Sequence, residues 1–149
     1  MGYPTEGEED FEKTVKLIEE IKPDMINLSR FFPRPGTPAE KLKPLDPRLV
    51  KKRSKLMSEV AREAALRAGE RWIGWRGIAL VDEIGERGEA IARNLSYKPI
   101  VLKENGRRLF GKFVEVEIES IRPYCLLGRV KRILRLDEAS TMILEQGSS

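Results

Sequence analysis

The stretch Arg30-Phe31-Phe32-Pro33-Arg34-Pro35-Gly36-Thr37-Pro38 holds two arginines among three prolines and a glycine, a composition suited to presenting groups rather than packing them. Each proline fixes its own φ and pushes its predecessor toward extended conformations, so residues 32–37 are expected to be extended and stiff. Arg34, held out by its neighbours, can meet a carboxylate or a phosphate bidentately. Nearer the start, Glu6 follows Gly2-Tyr3-Pro4-Thr5, and its carboxylate can accept hydrogen bonds from a ribose or an amino group. The plainer uses are helix-end electrostatics for Glu6 and a surface ion pair for Arg34. Catalytic residues of the familiar kinds are missing. The chain has one cysteine, Cys125, and no histidine. This excludes an internal disulfide, a cysteine-ligated metal cluster made by this chain alone, the usual zinc sets and every histidine-dependent triad. Cys125, flanked by Tyr124 and Leu126, reads as a buried or half-buried small hydrophobe.

Charge is unevenly spread. The net charge is +4; residues 1–69 carry 14 Lys/Arg against 12 Asp/Glu, residues 70–136 carry 14 against 9, and the remainder has none against 3. The positive excess lies in the glycine-punctuated middle, which fits a polyanionic partner or simple solubility. The length of 149 residues suits one ordinary domain or two small ones, and 7% aromatic residues argue against a single large core. No apolar run approaches the roughly eighteen residues of a membrane span, and no signal peptide opens the chain, so a cytoplasmic location is expected.

Elements that position these residues can be read from periodicity. Glu8, Glu9 and Asp10 load a helix start, and Phe11, Val15 and Ile18 recur at helical spacing, with Leu17 and Ile21 beside them, which predicts a helix over Glu8 to Ile21. Ile26, Leu28 and the Phe31-Phe32 pair predict a strand over Met25 to Phe31. Helix then strand is the second half of a βαβ unit whose first strand is missing, so the chain is expected to begin inside a domain. Asp46-Pro47 opens a helix to about Ala68, with Leu49, Leu56, Val60 and Ala64 as its apolar stripe and Lys51, Lys52, Arg53 and Lys55 as a solvated basic face. From Trp72 the period becomes two: strands are expected around Ile78–Val81, Ala90–Arg93, Ile100–Leu102, Val114–Glu119 and Tyr124–Val130. Gly85-Glu86-Arg87-Gly88 reads as a turn and Asn105-Gly106 as a hairpin. Five short strands with tight turns predict a small OB-like β-barrel, and the fold class is α+β.

Two groups of words resemble a known family. Gly2-Tyr3-Pro4-Thr5-Glu6, then Glu8-Glu9-Asp10-Phe11, then Arg34-Pro35-Gly36-Thr37-Pro38-Ala39 resemble, in this order, the closing segment of the radical S-adenosylmethionine barrel in tRNA methylthiotransferases. Gly7 stands where a hydroxyl residue is commoner in that pattern. Gly77 to Gly85, Ala92 to Val101, Gly111 to Val116 and Tyr124 to Val130 resemble the TRAM domain, a small RNA-binding β-barrel that follows the radical barrel there. The resemblance implies a C-terminal remnant of that barrel over 1–45, a linker helix over 46–69, a TRAM barrel over 70–132 and a tail over 133–149, ending in Gly147-Ser148-Ser149, which could be an appended remnant.

The resemblance also implies roles. The parent enzyme would use 4Fe-4S clusters and S-adenosylmethionine, and would thiomethylate the N6-threonylcarbamoyl-type adenosine 3′ of the anticodon. This chain would lack the cluster cysteines, bind neither group by itself and be inactive alone. Thr5, Glu6, Arg34 and Thr37 would form the rim of the substrate and S-adenosylmethionine site. Arg76, Arg87, Arg93, Lys98, Arg107, Arg108, Lys112 and Arg122 would contact RNA phosphates, with Tyr97 or Phe110 available for stacking. Glu115, Glu117 and Glu119 would mark a face that does not meet RNA. The expected partners are the tRNA anticodon stem-loop and the missing parts of the same enzyme, with no membrane. Alternatives are a relative acting on a ribosomal protein, a stand-alone TRAM-type RNA-binding protein without an enzymatic role, and a purely structural or dimerising piece.

Overall fold

Glu8, Glu9 and Asp10 do start a helix, α1 (Glu8–Ile21), in the computed structural model, which describes residues 1–146; Gly147-Ser148-Ser149 lies outside the described residues. The Asp10 carboxylate accepts from the Gly7 N–H at 2.9 Å, which is the acidic half of a capping box; Gly7 has no hydroxyl to supply the other half. Phe11 is buried and Ile18 half-buried, whereas Leu17 and Ile21 face water. Lys22 ends the helix in the left-handed region at φ 49°, its N–H donating to the Ile18 carbonyl.

The chain divides into two units, Met1–Ala68 and Gly69 onward. In the first, the expected strand over Met25 to Phe31 does not form. A strand exists only as part of a ladder, and among the described residues this segment is bonded only to Met1, Phe31 N–H to the Met1 carbonyl at 2.8 Å and the Met1 amino group to the Ser29 carbonyl at 3.4 Å. The loop over 32–37 is likewise not extended throughout. Gly36, at φ +79°, turns it, its N–H donates to the Glu40 carboxylate at 2.7 Å, and a 3-10 turn follows over Pro38–Lys41.

Helix α2 (Pro47–Glu70) opens as expected, with Asp46 accepting from the Arg48 N–H at 2.8 Å. Its buried side differs from the expected stripe. Ala64 is buried as expected, but Leu56 is exposed, and the other buried positions are Arg53, Met57, Ala61, Ala65, Ala68 and Gly69. Both sets follow the helical period, and the buried set takes in an arginine.

The second unit is a closed barrel of β1 (Arg76–Ile84), β2 (Glu89–Arg93), β3 (Pro99–Asn105), β4 (Phe113–Arg122) and β5 (Cys125–Ile133), in the spatial order β1-β2-β3-β5-β4. All pairings are antiparallel except β3 with β5, where Ile100 faces Leu126 and Leu102 faces Gly128. The strict alternation of β4 holds: Val114, Val116 and Ile118 fill the interior with Val81, Ile100, Leu102 and Leu126. Ala79, Ala90 and Ala92 supply the small positions that let so narrow a barrel close. The tail over 133–149 contains a helix, α4 (Leu136–Gln146), and Leu134 and Ala139 are buried with Ile78 on the barrel's outer side.

Asn105-Gly106 is not a hairpin. Asn105 caps a single helical turn, α3 (Gly106–Leu109), accepting from the Arg107 N–H at 2.9 Å, and β4 then pairs with β1 and β5 rather than with β3. Glycine is needed at 106 for closeness. Its N–H donates to the Gly88 carbonyl at 2.8 Å, and a Cβ there would lie 2.8 Å from the Glu89 carbonyl oxygen. Gly106→Ala is therefore expected to destabilise the second unit by about 1–3 kcal/mol, seen as a lower urea midpoint at unchanged slope.

Candidate nucleic-acid interface

Two sets of cations on the barrel differ in what surrounds them, and for β4 and β5 the pleat is the reason. On β4 the residues between the buried ones are Glu115, Glu117 and Glu119, and β5 brings Arg132, Lys131 and Arg129 opposite them. Arg132 lies 2.8 Å from Glu115, Lys131 and Arg129 lie 2.9 and 3.0 Å from Glu117, and Arg129 also reaches Glu119 at 3.2 Å. Lys131 first, and Arg129 next, hold the Glu117 carboxyl down at about 2. This strip is a self-neutralised lattice.

A second face is different. Val101, Leu127 and Gly128 floor a groove of about 900 Å³, and Arg87, Lys103, Arg107 and Arg122 stand around it. The β1–β2 turn supplies Arg87, the outward side of β3 supplies Lys103, α3 supplies Arg107 and the end of β4 supplies Arg122. None of these four cations has an ion-pair partner among the described residues. Of the two carboxylates lining the groove, Glu89 accepts from the Arg87 N–H at 3.0 Å and Glu119 is paired with Arg129. Four unpaired cations over an apolar floor are an arrangement that can follow a phosphate backbone while bases lie against the floor.

The structure thus brings together Arg87, Arg107 and Arg122 of the expected RNA-contacting residues and adds Lys103, which sequence reasoning missed although its alternation with Val101 and Leu102 marks it as outward. Arg76, Arg108 and Lys112 are exposed but do not line this groove. Phe110, at the end of α3, is also exposed and outside it. Arg93 is engaged within the barrel. A bulge between Val81 and Glu83 turns two successive carboxylates toward it, Asp82 at 2.5 Å and Glu83 at 2.8 Å. Its guanidinium also lies over the Tyr97 ring, 5.5 Å from the centroid. Lys98, half-buried, donates its backbone N–H to the Asn94 side chain.

Of the expected rim residues, Arg34 and Thr37 share a hollow of about 400 Å³, where the Thr37 hydroxyl donates to the Arg34 carbonyl at 2.7 Å. Thr5 is exposed and lines neither this hollow nor the one beside Glu6. Both oxygens of Glu6 are occupied, Oε2 by the Gly2 N–H at 2.8 Å and Oε1 by Arg53 at 3.0 Å.

Arg53 is the residue whose role was hidden in the sequence. It is 4% exposed, lies over the Phe11 ring, donates to the Glu6 carbonyl as well as its carboxylate, and reaches Glu8 at 2.7 Å. Glu8 and then Glu6 push its pKa up against the cost of burial. Its neighbours Lys51, Lys52 and Lys55 make it read as part of a solvated basic face. The helical spacing of 53, 57, 61, 64 and 68 was the available signal.

The 4Fe-4S cluster implied by the resemblance does not fit the residues present. Cys125 is half-buried, burial pushes its thiol up despite Arg122, and no group of three or more Asp, Glu, His or Cys able to hold a metal occurs among the described residues. No helix among them is long and apolar enough to cross a membrane.

Comparison with known proteins agrees with this geometry. The TRAM domain family matches residues 78–131, which span β1 to β5. The barrel is a TRAM domain. The chain is also 37% identical over 130 residues to a protein of Pyrococcus horikoshii named "Probable threonylcarbamoyladenosine tRNA methylthiotransferase", covering 87% of this chain and 30% of that one. It is 33% identical over 131 residues to the human threonylcarbamoyladenosine tRNA methylthiotransferase, covering 86% of this chain and 22% of the relative. It is 32% identical over 132 residues to a tRNA-2-methylthio-N(6)-dimethylallyladenosine synthase of Petrotoga mobilis, covering 87% and 30% respectively. The similarity is to the C-terminal region of the threonylcarbamoyladenosine tRNA methylthiotransferases, and the chain spans less than a third of their length.

Two outcomes are expected. Arg53→Ala would leave Glu6 half-buried without its cation and cost about 3 kcal/mol, at the low end for a broken buried pair because Glu8 stays in water, read as faster hydrogen exchange across α1. The Glu117 carboxyl is depressed from 4.5 to about 2. Its pairing therefore contributes stability that is present above pH 4.5 and lost as pH falls toward 2. The thermal midpoint of the TRAM domain should fall across that window, and Glu117→Gln should make the fall shallower.

Proposed function

We propose that this chain is the tRNA-binding portion of a tRNA methylthiotransferase, and that its TRAM domain holds the RNA in the groove ringed by Arg87, Lys103, Arg107 and Arg122. The observation that carries the reading is the segregation of charge: the cations of β5 are spent on the carboxylates of β4, while the four around the groove have no ion-pair partner among the described residues. In five-stranded barrels of this topology the face of strands 2 and 3, with the loops joining strands 1–2 and 4–5, is where oligonucleotides lie. Arg87 is on the first of these loops, Lys103 is on β3, and Arg122 ends β4 just before the second.

The enzymatic part of the proposal rests on the relatives and on the loop words of the first unit. The substrate would be the N6-threonylcarbamoyl-type adenosine 3′ of the anticodon, presented within an anticodon stem-loop. In the whole enzyme a thiolate-held iron-sulfur cluster and S-adenosylmethionine would supply the radical chemistry. One cysteine is too few to hold such a cluster, so this chain contributes binding and positioning and is silent in catalysis by itself. Within that division of labour, Arg53 and Glu6 keep the Gly-Tyr-Pro loop in place, and Arg34 with Thr37 offers a basic hollow.

Anisotropy titration of a labelled anticodon stem-loop with the full chain tests the RNA reading. A variant with Arg87, Lys103, Arg107 and Arg122 all changed to alanine should bind at least tenfold more weakly, and its log-log salt slope should be shallower by roughly 3. A folded variant with unchanged affinity and slope would remove the groove from consideration. Fusion of the same variant to the upstream part of a methylthiotransferase relative should raise KM for tRNA.

A further inference from the structure

Two tyrosines occupy backbone positions that tyrosine disfavours. Tyr97, in the β2–β3 loop, has φ +58°, and Tyr124, in the β4–β5 turn, has φ +70°. Lys22, the helix cap, is the only other described residue besides glycine with positive φ. In this region the Cβ crowds the backbone, and glycine or asparagine is the ordinary choice. Tyr124 follows Pro123 in a two-residue turn whose second position favours glycine for this reason. Neither ring is needed to fill the barrel: Tyr97 is 76% exposed, Tyr124 is 39% exposed, and neither belongs to its core.

The backbone around Tyr97 is fixed rather than loose. Buried Asn94 accepts the Lys98 N–H at 3.0 Å with its side chain, and its carbonyl accepts the Tyr97 N–H at 2.8 Å. Arg93, itself held by Asp82 and Glu83, is seated over the ring. One face of Tyr97 is therefore backed by a guanidinium clamped in place.

Register places the two tyrosines on neighbouring loops. Strands β3 and β5 run parallel with Ile100 opposite Leu126, so the loop entering β3 and the turn entering β5 lie at the same end of the barrel. Tyr97 precedes Ile100 and Tyr124 precedes Leu126. Arg122, which pairs with Cys125 across that turn, also lines the basic groove, so this end of the barrel is continuous with it.

We infer that Tyr97 and Tyr124 form a stacking rim for unpaired bases of the bound RNA, at the end of the groove whose cations follow its phosphates. Rigid aromatic platforms beside a basic track are what single-stranded RNA recognition requires, and backbone strain held in place by its surroundings, as at Tyr97, is characteristic of ligand-binding positions. A base-paired stem offers no free base face, so the rim selects loop over stem. This inference rests on the proposed RNA binding and goes beyond it by naming unpaired bases as the ligand.

The test compares the full chain with Tyr97→Gly and Tyr124→Gly against two labelled RNAs, a hairpin with an unpaired loop and its stem as a blunt duplex. Glycine relieves the backbone, so thermal midpoints at or above that of the parent chain are expected. Each variant should bind the hairpin about tenfold more weakly, with duplex affinity and salt slope unchanged. Tyr97→Phe should bind as the parent does, because stacking does not need the hydroxyl. Unchanged hairpin affinity in both glycine variants would overturn the inference and leave the basic groove standing. So would a fall of the thermal midpoint in both, which would make the rings structural. Failure of the parent chain to bind either RNA would overturn the proposed RNA binding together with this inference.

Discussion

Closure of the barrel through parallel pairing of β3 with β5 is the constraint on which the second unit depends. Three antiparallel strands in sequence would leave open edges, each a row of unpaired N–H and C=O groups. Here β1 reaches both β2 and β4, and β5 turns back beside β3, so every strand has two neighbours. A closed barrel this narrow requires close approach. Ala79, Ala90 and Ala92 meet that requirement inside, and at Gly128 a Cβ would lie 2.9 Å from the Glu117 carbonyl oxygen. The same closure gathers the β1–β2 turn, the outward side of β3 and the end of β4 around one groove.

Charge is distributed by the same geometry. In a two-sided strand the pleat sends every second side chain outward, so the glutamates of β4 and the cations of β5 meet whether or not a ligand is present. Exposed pairs of this sort contribute little individually to stability. Their larger consequence is electrostatic. They remove Arg129, Lys131 and Arg132 from the cations available to a polyanion, while Arg87, Lys103, Arg107 and Arg122 stand around the groove. A net charge of +4 therefore understates how basic the groove is.

The first unit is organised around a different kind of contact. Arg53 is buried because it links α2 to Glu6 and Glu8 at the start of α1 and to the Phe11 ring beneath. A lysine would not replace it. Reaching two carboxylates and a carbonyl from one planar group needs the fork of a guanidinium. The grip on Glu6 and Glu8 ties the Gly-Tyr-Pro loop and the start of α1 to the long helix.

Much was already determined by the sequence alone. Alternation in Val114–Glu119 settled the two faces of β4, Glu8–Asp10 and the following stripe settled α1, Asp46-Pro47 settled the start of α2, the five short strands indicated a small OB-like barrel, and its words behind the proline-rich loop resemble the TRAM domain. These succeed because local periodicity and capping chemistry are short-range. Only the tertiary structure decided the rest. Residues 25–31 carry a strand pattern but find no ladder, since pairing depends on a partner that the segment does not itself encode. Asn105-Gly106 has hairpin chemistry yet caps a helical turn, because the strand that follows is claimed by β1 and β5. Which arginines are free could not be read either: Arg53 and Arg93 look like Arg87 and Arg107 in sequence, and differ only in whether folding brings carboxylates to them. The closeness of the Tyr97 and Tyr124 loops is likewise a product of β3–β5 register, a relation between segments that no local pattern contains.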